Sequence, residues 1–215
     1  MDKLGNLFIM GDSYSTYNDW IPDGYWCYYG ITRTDGAPVV DTVEKTWWHR
    51  LLTKMNGNLV MNDSWSGSTI CNIRYGNEYC PTYSFVGRID KYLNEDFFEK
   101  NTVDTFLIFG GTNDSWAGSP IGKLQYSNWN ENDLKCALPA FCYLLSKLNN
   151  HIPNAKIVFI INTHLNPVLV KNYIIACEKY GVKYIQLNDI EKLNGHPTEK
   201  GMEQISDQVY EFLNK

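Results

Sequence analysis

The chain has 215 residues, 14% of them aromatic, and a formal net charge of −5. That length suits one domain, spanning 1–215, with a sizeable core. The acidic balance argues against nucleic acid as the main partner, because phosphate binding needs a basic face, and no apolar run is long enough to cross a bilayer.

The first strand candidate is 7–10, which runs directly into Gly11-Asp12-Ser13. The opening stretch has no signal-peptide layout, so the expected compartment is the cytoplasm unless a leader has been removed. A long connection at 16–42, rich in Trp, Tyr, Gly and Asn, precedes a weak helix at 43–55. A second strand, 59–62, leads into Asn62-Asp63-Ser64-Trp65-Ser66-Gly67-Ser68-Thr69. Val86, Ile89, Leu93 and Phe97 then fall on one helix face. A third strand, 103–109, meets Gly110-Gly111-Thr112-Asn113-Asp114, and a second long connection covers 115–130. Long connections in a compact domain are often functional. Leu134, Leu138, Phe141, Leu145 and Leu148 mark the next helix, followed by a strand at 156–161, a helix at 168–180 and a strand at 183–187. His196-Pro197 reads as the start of the last helix, with Pro in its first turn. Met202, Ile205, Val209 and Phe212 give that helix its apolar stripe.

Several of these strands are apolar at nearly every position, as strands covered on both faces are. Strand alternating with helix implies right-handed crossovers, a five-stranded parallel sheet and a three-layer α/β/α sandwich. Sites in such sheets lie beyond the carboxyl ends of the strands. Polar, glycine-bearing clusters follow the first, second, third and fifth strands, so they converge on one sheet edge.

Cys27, Cys71, Cys80, Cys136, Cys142 and Cys177 show neither CxxC pairs nor zinc spacing. They read as free thiols, and Cys71 with Cys80 is the pair to watch for a disulfide. His49, His151, His164 and His196 lack metal-ligand spacing. Neither a metal nor an organic cofactor is expected.

Ser13 sits at a strand-to-loop turn, where a neighbouring base would make its hydroxyl a nucleophile. His196 is the candidate base, and His164, also past a strand end, is its rival. The Gly67 N–H and the Asn113 amide suit donation to an oxyanion. Each residue alone fits ordinary turn or cap chemistry. Together, placed after successive strands, they describe one site.

Four blocks, Gly11-Asp12-Ser13, Asn62 through Gly67, Gly111-Thr112-Asn113-Asp114 and His196-Pro197, match in order and spacing. On these the chain resembles the SGNH (GDSL-like) hydrolase superfamily over nearly its whole length. The resemblance implies a flavodoxin-like sheet and an esterase. It also implies Ser13 as nucleophile, His196 as general base and then acid, and an oxyanion hole from the Ser13 N–H, the Gly67 N–H and Asn113. One position departs: where the family has an Asp three residues before the histidine, this chain has Leu193. A backbone carbonyl near Leu193 is the first substitute for that acid, and Asp189 or Glu191 the second. Asp12 and Asp114 read as bonding the loop backbone.

The expected partner is a small-molecule or glycan ester, with a carbohydrate O-acetyl ester preferred. Asp12, Trp65 and Trp116 stand as candidate substrate contacts, and Trp20, Trp26 and Trp129 lie in or near the same rim loops. The alternatives are an acyltransferase on the same scaffold and a carbohydrate-binding protein without turnover, which Leu193 favours. The sequence leaves the oligomeric state open.

Overall fold

The computed structural model describes residues 4–32 and 34–215. Five strands, β1 (Asn6–Gly11), β2 (Asn58–Ser64), β3 (Thr105–Phe109), β4 (Lys156–Ile161) and β5 (Lys183–Gln186), form one sheet. Every pairing is parallel, and the spatial order is β2-β1-β3-β4-β5. This is the flavodoxin-like order, which reverses direction between β1 and β3 and opens a crevice there.

Alternate strand residues feed two separate cores. Phe8, Met10, Phe106, Ile108, Phe159 and Ile161 pack beneath α2 (Phe85–Asn94), α5 (Ala137–His151) and α6 (Pro167–Tyr180). Leu7, Ile9, Leu107, Phe109, Val158 and Ile160 pack beneath α1 (Trp47–Met55) and α7 (Glu199–Leu213). With both faces covered, the interiors of the central strands β1, β3 and β4 have no polar positions to spare, which accounts for their unbroken apolar runs.

Three local expectations are corrected. Phe97 does not continue the helix of Val86, because Asp96 adopts a left-handed conformation (φ 52°) and starts the short α3 (Phe97–Lys100). Leu134 lies in a separate 3-10 turn, Asp133–Lys135, since the extended Cys136 interrupts the helix. His196-Pro197 is not helical. It pairs antiparallel with Lys192–Leu193, and α7 starts beyond Thr198, whose side chain caps it by accepting from the Gly201 N–H. All six cysteines are free thiols, Cys71 and Cys80 included.

Candidate active site

The first turn after β1 is a single 3-10 turn, Ser13–Ser15, capped by the Asp12 carboxylate, which accepts from the Tyr14 N–H. Gly11 is required here: a Cβ would stand 2.5 Å from Ser64 Oγ and 2.8 Å from Ser15 Cβ. The turn leaves the Ser13 N–H without a partner inside it and holds Ser13 nearly enclosed, the residue 5% exposed.

Ser13 Oγ lies 2.9 Å from His196 Nε2, across 183 residues of sequence. The other imidazole nitrogen, Nδ1, faces the Asn194 carbonyl at 3.4 Å. His164, the rival base, is exposed with φ 58° and makes no hydrogen bond to Ser13 among the described residues. Asp189 is exposed as well. It lines a hollow of about 850 Å³ past β4 and β5 together with His164 and Lys171, and makes no hydrogen bond to His196 among the described residues. Of the two substitutes read from sequence, the backbone carbonyl is the one that stands beside Nδ1, and the Asp189 carboxylate does not.

The loop after β2 is tied to the end of β1 and to the segment that follows β3. The Trp65 N–H donates to the Gly11 carbonyl, and the Ile70 and Cys71 N–H groups donate to the two Asp114 carboxylate oxygens at 2.8 and 3.1 Å. Gly67 occupies φ 80°, where a side chain would be strained, with open space on its Cβ side, and its N–H is used in no hydrogen bond among the described residues. Asn113, at the start of α4 (Thr112–Trp116), donates from Nδ2 to the Ser68 carbonyl at 2.9 Å and accepts at Oδ1 from the Tyr75 hydroxyl at 3.1 Å. These two bonds leave the second amide hydrogen of Nδ2 for another acceptor.

Several side chains that the sequence reading did not single out hold this frame. Arg88, fully enclosed, reaches from α2 to the Asp63 carboxylate at 2.6 Å and to the Gly11 carbonyl and Ser68 Oγ, each at 3.1 Å. The Tyr14 hydroxyl donates to the Gly195 carbonyl, and the Tyr29 hydroxyl donates to the Pro197 carbonyl at 2.8 Å. Tyr28 stacks on the His196 ring. Lys192 bonds Asn162 Oδ1 and Thr163 Oγ1, and burial holds its ammonium down at about 8. Tyr14 was adjacent to Ser13 in sequence, a signal that was readable. The others carry no period or motif.

The expected substrate contacts separate. Asp12 is fully enclosed and caps the turn, and burial pushes its carboxyl up to about 7. Trp65 is packed between Tyr25 and Tyr83, with ring centroids at 4.0 and 4.4 Å. Trp116 is 41% exposed, 6.2 Å from the His196 ring, and stands against Gly195. Trp26, whose ring is exposed, accepts at its backbone carbonyl from the Ser66 N–H beside Gly67. Trp20 packs on Trp48, and Trp129 on Tyr143, with its indole N–H bonded to the Gln125 carbonyl. Among the described residues no cluster of metal-binding side chains occurs, and no helix is long and apolar enough to cross a membrane.

The model of the GDSL-like lipase/acylhydrolase family matches residues 5–213. The chain belongs to this family. A GDSL-like lipase structure from Bacteroides uniformis is 40% identical over 97% of this chain and 95% of its own, with a TM-score of 0.90. One from Bacteroides ovatus is 37% identical over 100% and 99%, with a TM-score of 0.89. A family two carbohydrate esterase from Clostridium thermocellum, 16% identical, shares the fold with a TM-score of 0.63 over 100% of this chain and 65% of its own. No curated protein matches. This GDSL-like chain is thus a serine hydrolase of the SGNH type, and an esterase by family.

Proposed function

We propose that the chain hydrolyses short-chain acyl esters of carbohydrates through an acyl-serine intermediate, with Ser13 as nucleophile and His196 as base. The observation that carries this reading is the 2.9 Å contact between Ser13 Oγ and His196 Nε2. His196 takes the Ser13 proton as Oγ attacks the ester carbonyl. The Ser13 N–H, the Gly67 N–H and the remaining Asn113 amide hydrogen receive the oxyanion. The imidazolium then protonates the leaving alcohol, and the same imidazole activates the water that releases the acid. The Asn194 carbonyl accepts the Nδ1 proton throughout.

Two features support the substrate class. Ser13 is almost enclosed, with Tyr14, Tyr28 and Trp116 crowded about its imidazole partner, which suits a small acyl group. Beyond the dyad stand the exposed rings of Trp116, Tyr75 and Trp26, whose faces suit the apolar face of a sugar. The experiment is a panel of acetylated oligosaccharides and p-nitrophenyl esters of rising acyl length, read by released acid. Acetyl esters should be turned over fastest, and Ser13→Ala should abolish turnover while preserving the fold. Activity retained in Ser13→Ala, or a preference for long acyl chains, would overturn the reading.

A further inference from the structure

The imidazole of His196 is gripped from the amino-terminal side of the molecule. The Tyr28 ring lies 3.7 Å from it, centroid to centroid, at an interplanar angle of 8°. Tyr28 is itself fastened to the nucleophile's turn. Its N–H donates to Thr16 Oγ1 at 2.9 Å, and Thr16 Oγ1 donates to the Ser13 carbonyl at 3.0 Å. The carbonyls on either side of His196 are both taken by tyrosine hydroxyls, Gly195 by Tyr14 and Pro197 by Tyr29. Against this, the bond at Nδ1 is long, 3.4 Å, and comes from a backbone carbonyl two residues away. A long neutral acceptor fixes a ring's rotation weakly.

We propose that Tyr28 is a positioning residue for His196: its ring face, tied through Thr16 to the Ser13 turn, holds the imidazole plane in line with the Ser13 hydroxyl. This deepens the esterase reading above and rests on it. The stack restricts rotation about the last side-chain torsion of His196, which is the motion that would carry Nε2 away from Ser13. A parallel π face also attracts the ring when it becomes cationic during turnover.

The register provides an independent handle. Leu193 stands directly opposite His196 in the antiparallel pair and is 47% exposed. Opposed side chains share a face about 5 Å apart, so a carboxylate placed there would meet the imidazole and do by charge what the stack does by contact.

The test measures kcat and KM on p-nitrophenyl acetate for wild type, Tyr28→Phe, Tyr28→Leu, Leu193→Asp and the double variant Tyr28→Leu/Leu193→Asp. A small misplacement of reacting groups costs up to about 100-fold, so Tyr28→Leu should lower kcat roughly 10- to 100-fold with KM within about twofold. Tyr28→Phe keeps the ring and should stay within about threefold of wild type. Leu193→Asp alone should change kcat by less than about threefold, and in the double variant should recover at least about fivefold. Wild-type kcat in Tyr28→Leu, a loss confined to KM, or Tyr28→Phe as impaired as Tyr28→Leu would overturn the proposal. So would a Leu193→Asp gain above about tenfold in the otherwise native protein, a variant that stands even if Tyr28→Leu fails to fold. The ring-current shift of the His196 carbon-bound protons, read by NMR in wild type and Tyr28→Phe against Tyr28→Leu, reports the stack without turnover. A wild type inactive on every ester sinks the esterase reading, whereas an unchanged shift in Tyr28→Leu sinks the stack.

Discussion

Arg88 and Asp63 form an ion pair at 2.6 Å in which both side chains are wholly enclosed. Asp63 also accepts from the Tyr92 hydroxyl at 3.2 Å. The guanidinium extends past its partner to the Gly11 carbonyl and Ser68 Oγ, so one side chain joins the end of β1 to the loop that carries Gly67. Enclosed pairs add little net stability, but removing one partner strands the other charge. Arg88→Met should therefore destabilise the fold by about 3–5 kcal/mol. Urea unfolding checks this, and a loss under about 1 kcal/mol would refute it.

Tyr75 sets which way the Asn113 amide faces. Its hydroxyl donates to Oδ1, while Nδ2 donates to the Ser68 carbonyl. Tyr75→Phe removes the first restraint and lets the amide tilt or invert. Deleting an oxyanion donor costs about 100- to 1000-fold in rate, and loosening one should cost less, about tenfold in kcat with KM nearly constant. Steady-state kinetics on p-nitrophenyl acetate decides, and an unchanged kcat would count against the Asn113 role.

Asp12 should leave a signature in the pH dependence of stability. Burial pushes its carboxyl up to about 7, far above the unfolded value near 3.9. The folded state thus holds the proton more tightly. Its contribution is complete below about pH 4 and is lost as pH rises through 7, with a ceiling on the order of 4 kcal/mol. Asp114, pushed up to about 6 by burial, adds the same sign. The melting temperature should fall between pH 5 and 8, and Asp12→Asn should flatten that fall, gaining several degrees at pH 8 and little at pH 5. Equal shifts at both pH values would contradict the buried-acid account.

Asp189→Asn should leave kcat/KM within about twofold of wild type, because the carboxylate lies at the 850 Å³ hollow rather than at His196. A drop beyond tenfold would return it to the role of the missing acid.

The strands were legible because two covered faces demand apolar runs, and 156–161 agrees to the residue. The Ser13, Gly67, Asn113 and His196 positions were legible because parallel sheets place chemistry at strand ends. The structure sets Ser13 against His196 and ties the Gly67 loop to Gly11 and Asn113. What stayed hidden depends on distant contacts with no period. Arg88 looks like any helix charge until α2 is docked over β2. Tyr28 and Tyr29 lie in a 16–42 segment whose described residues form no helix or strand, where aromatic content gives no direction. The break at Asp96 was missed because apolar spacing persists across it.

The hydroxyl of Tyr14, one residue past the nucleophile, closes on the carbonyl of Gly195, one residue before the base. On the proposed mechanism, competence therefore cannot precede closure of this 181-residue loop. On that mechanism Ser13 has no base until His196 closes onto the turn after β1, and refolding protein should regain helical signal before it regains turnover.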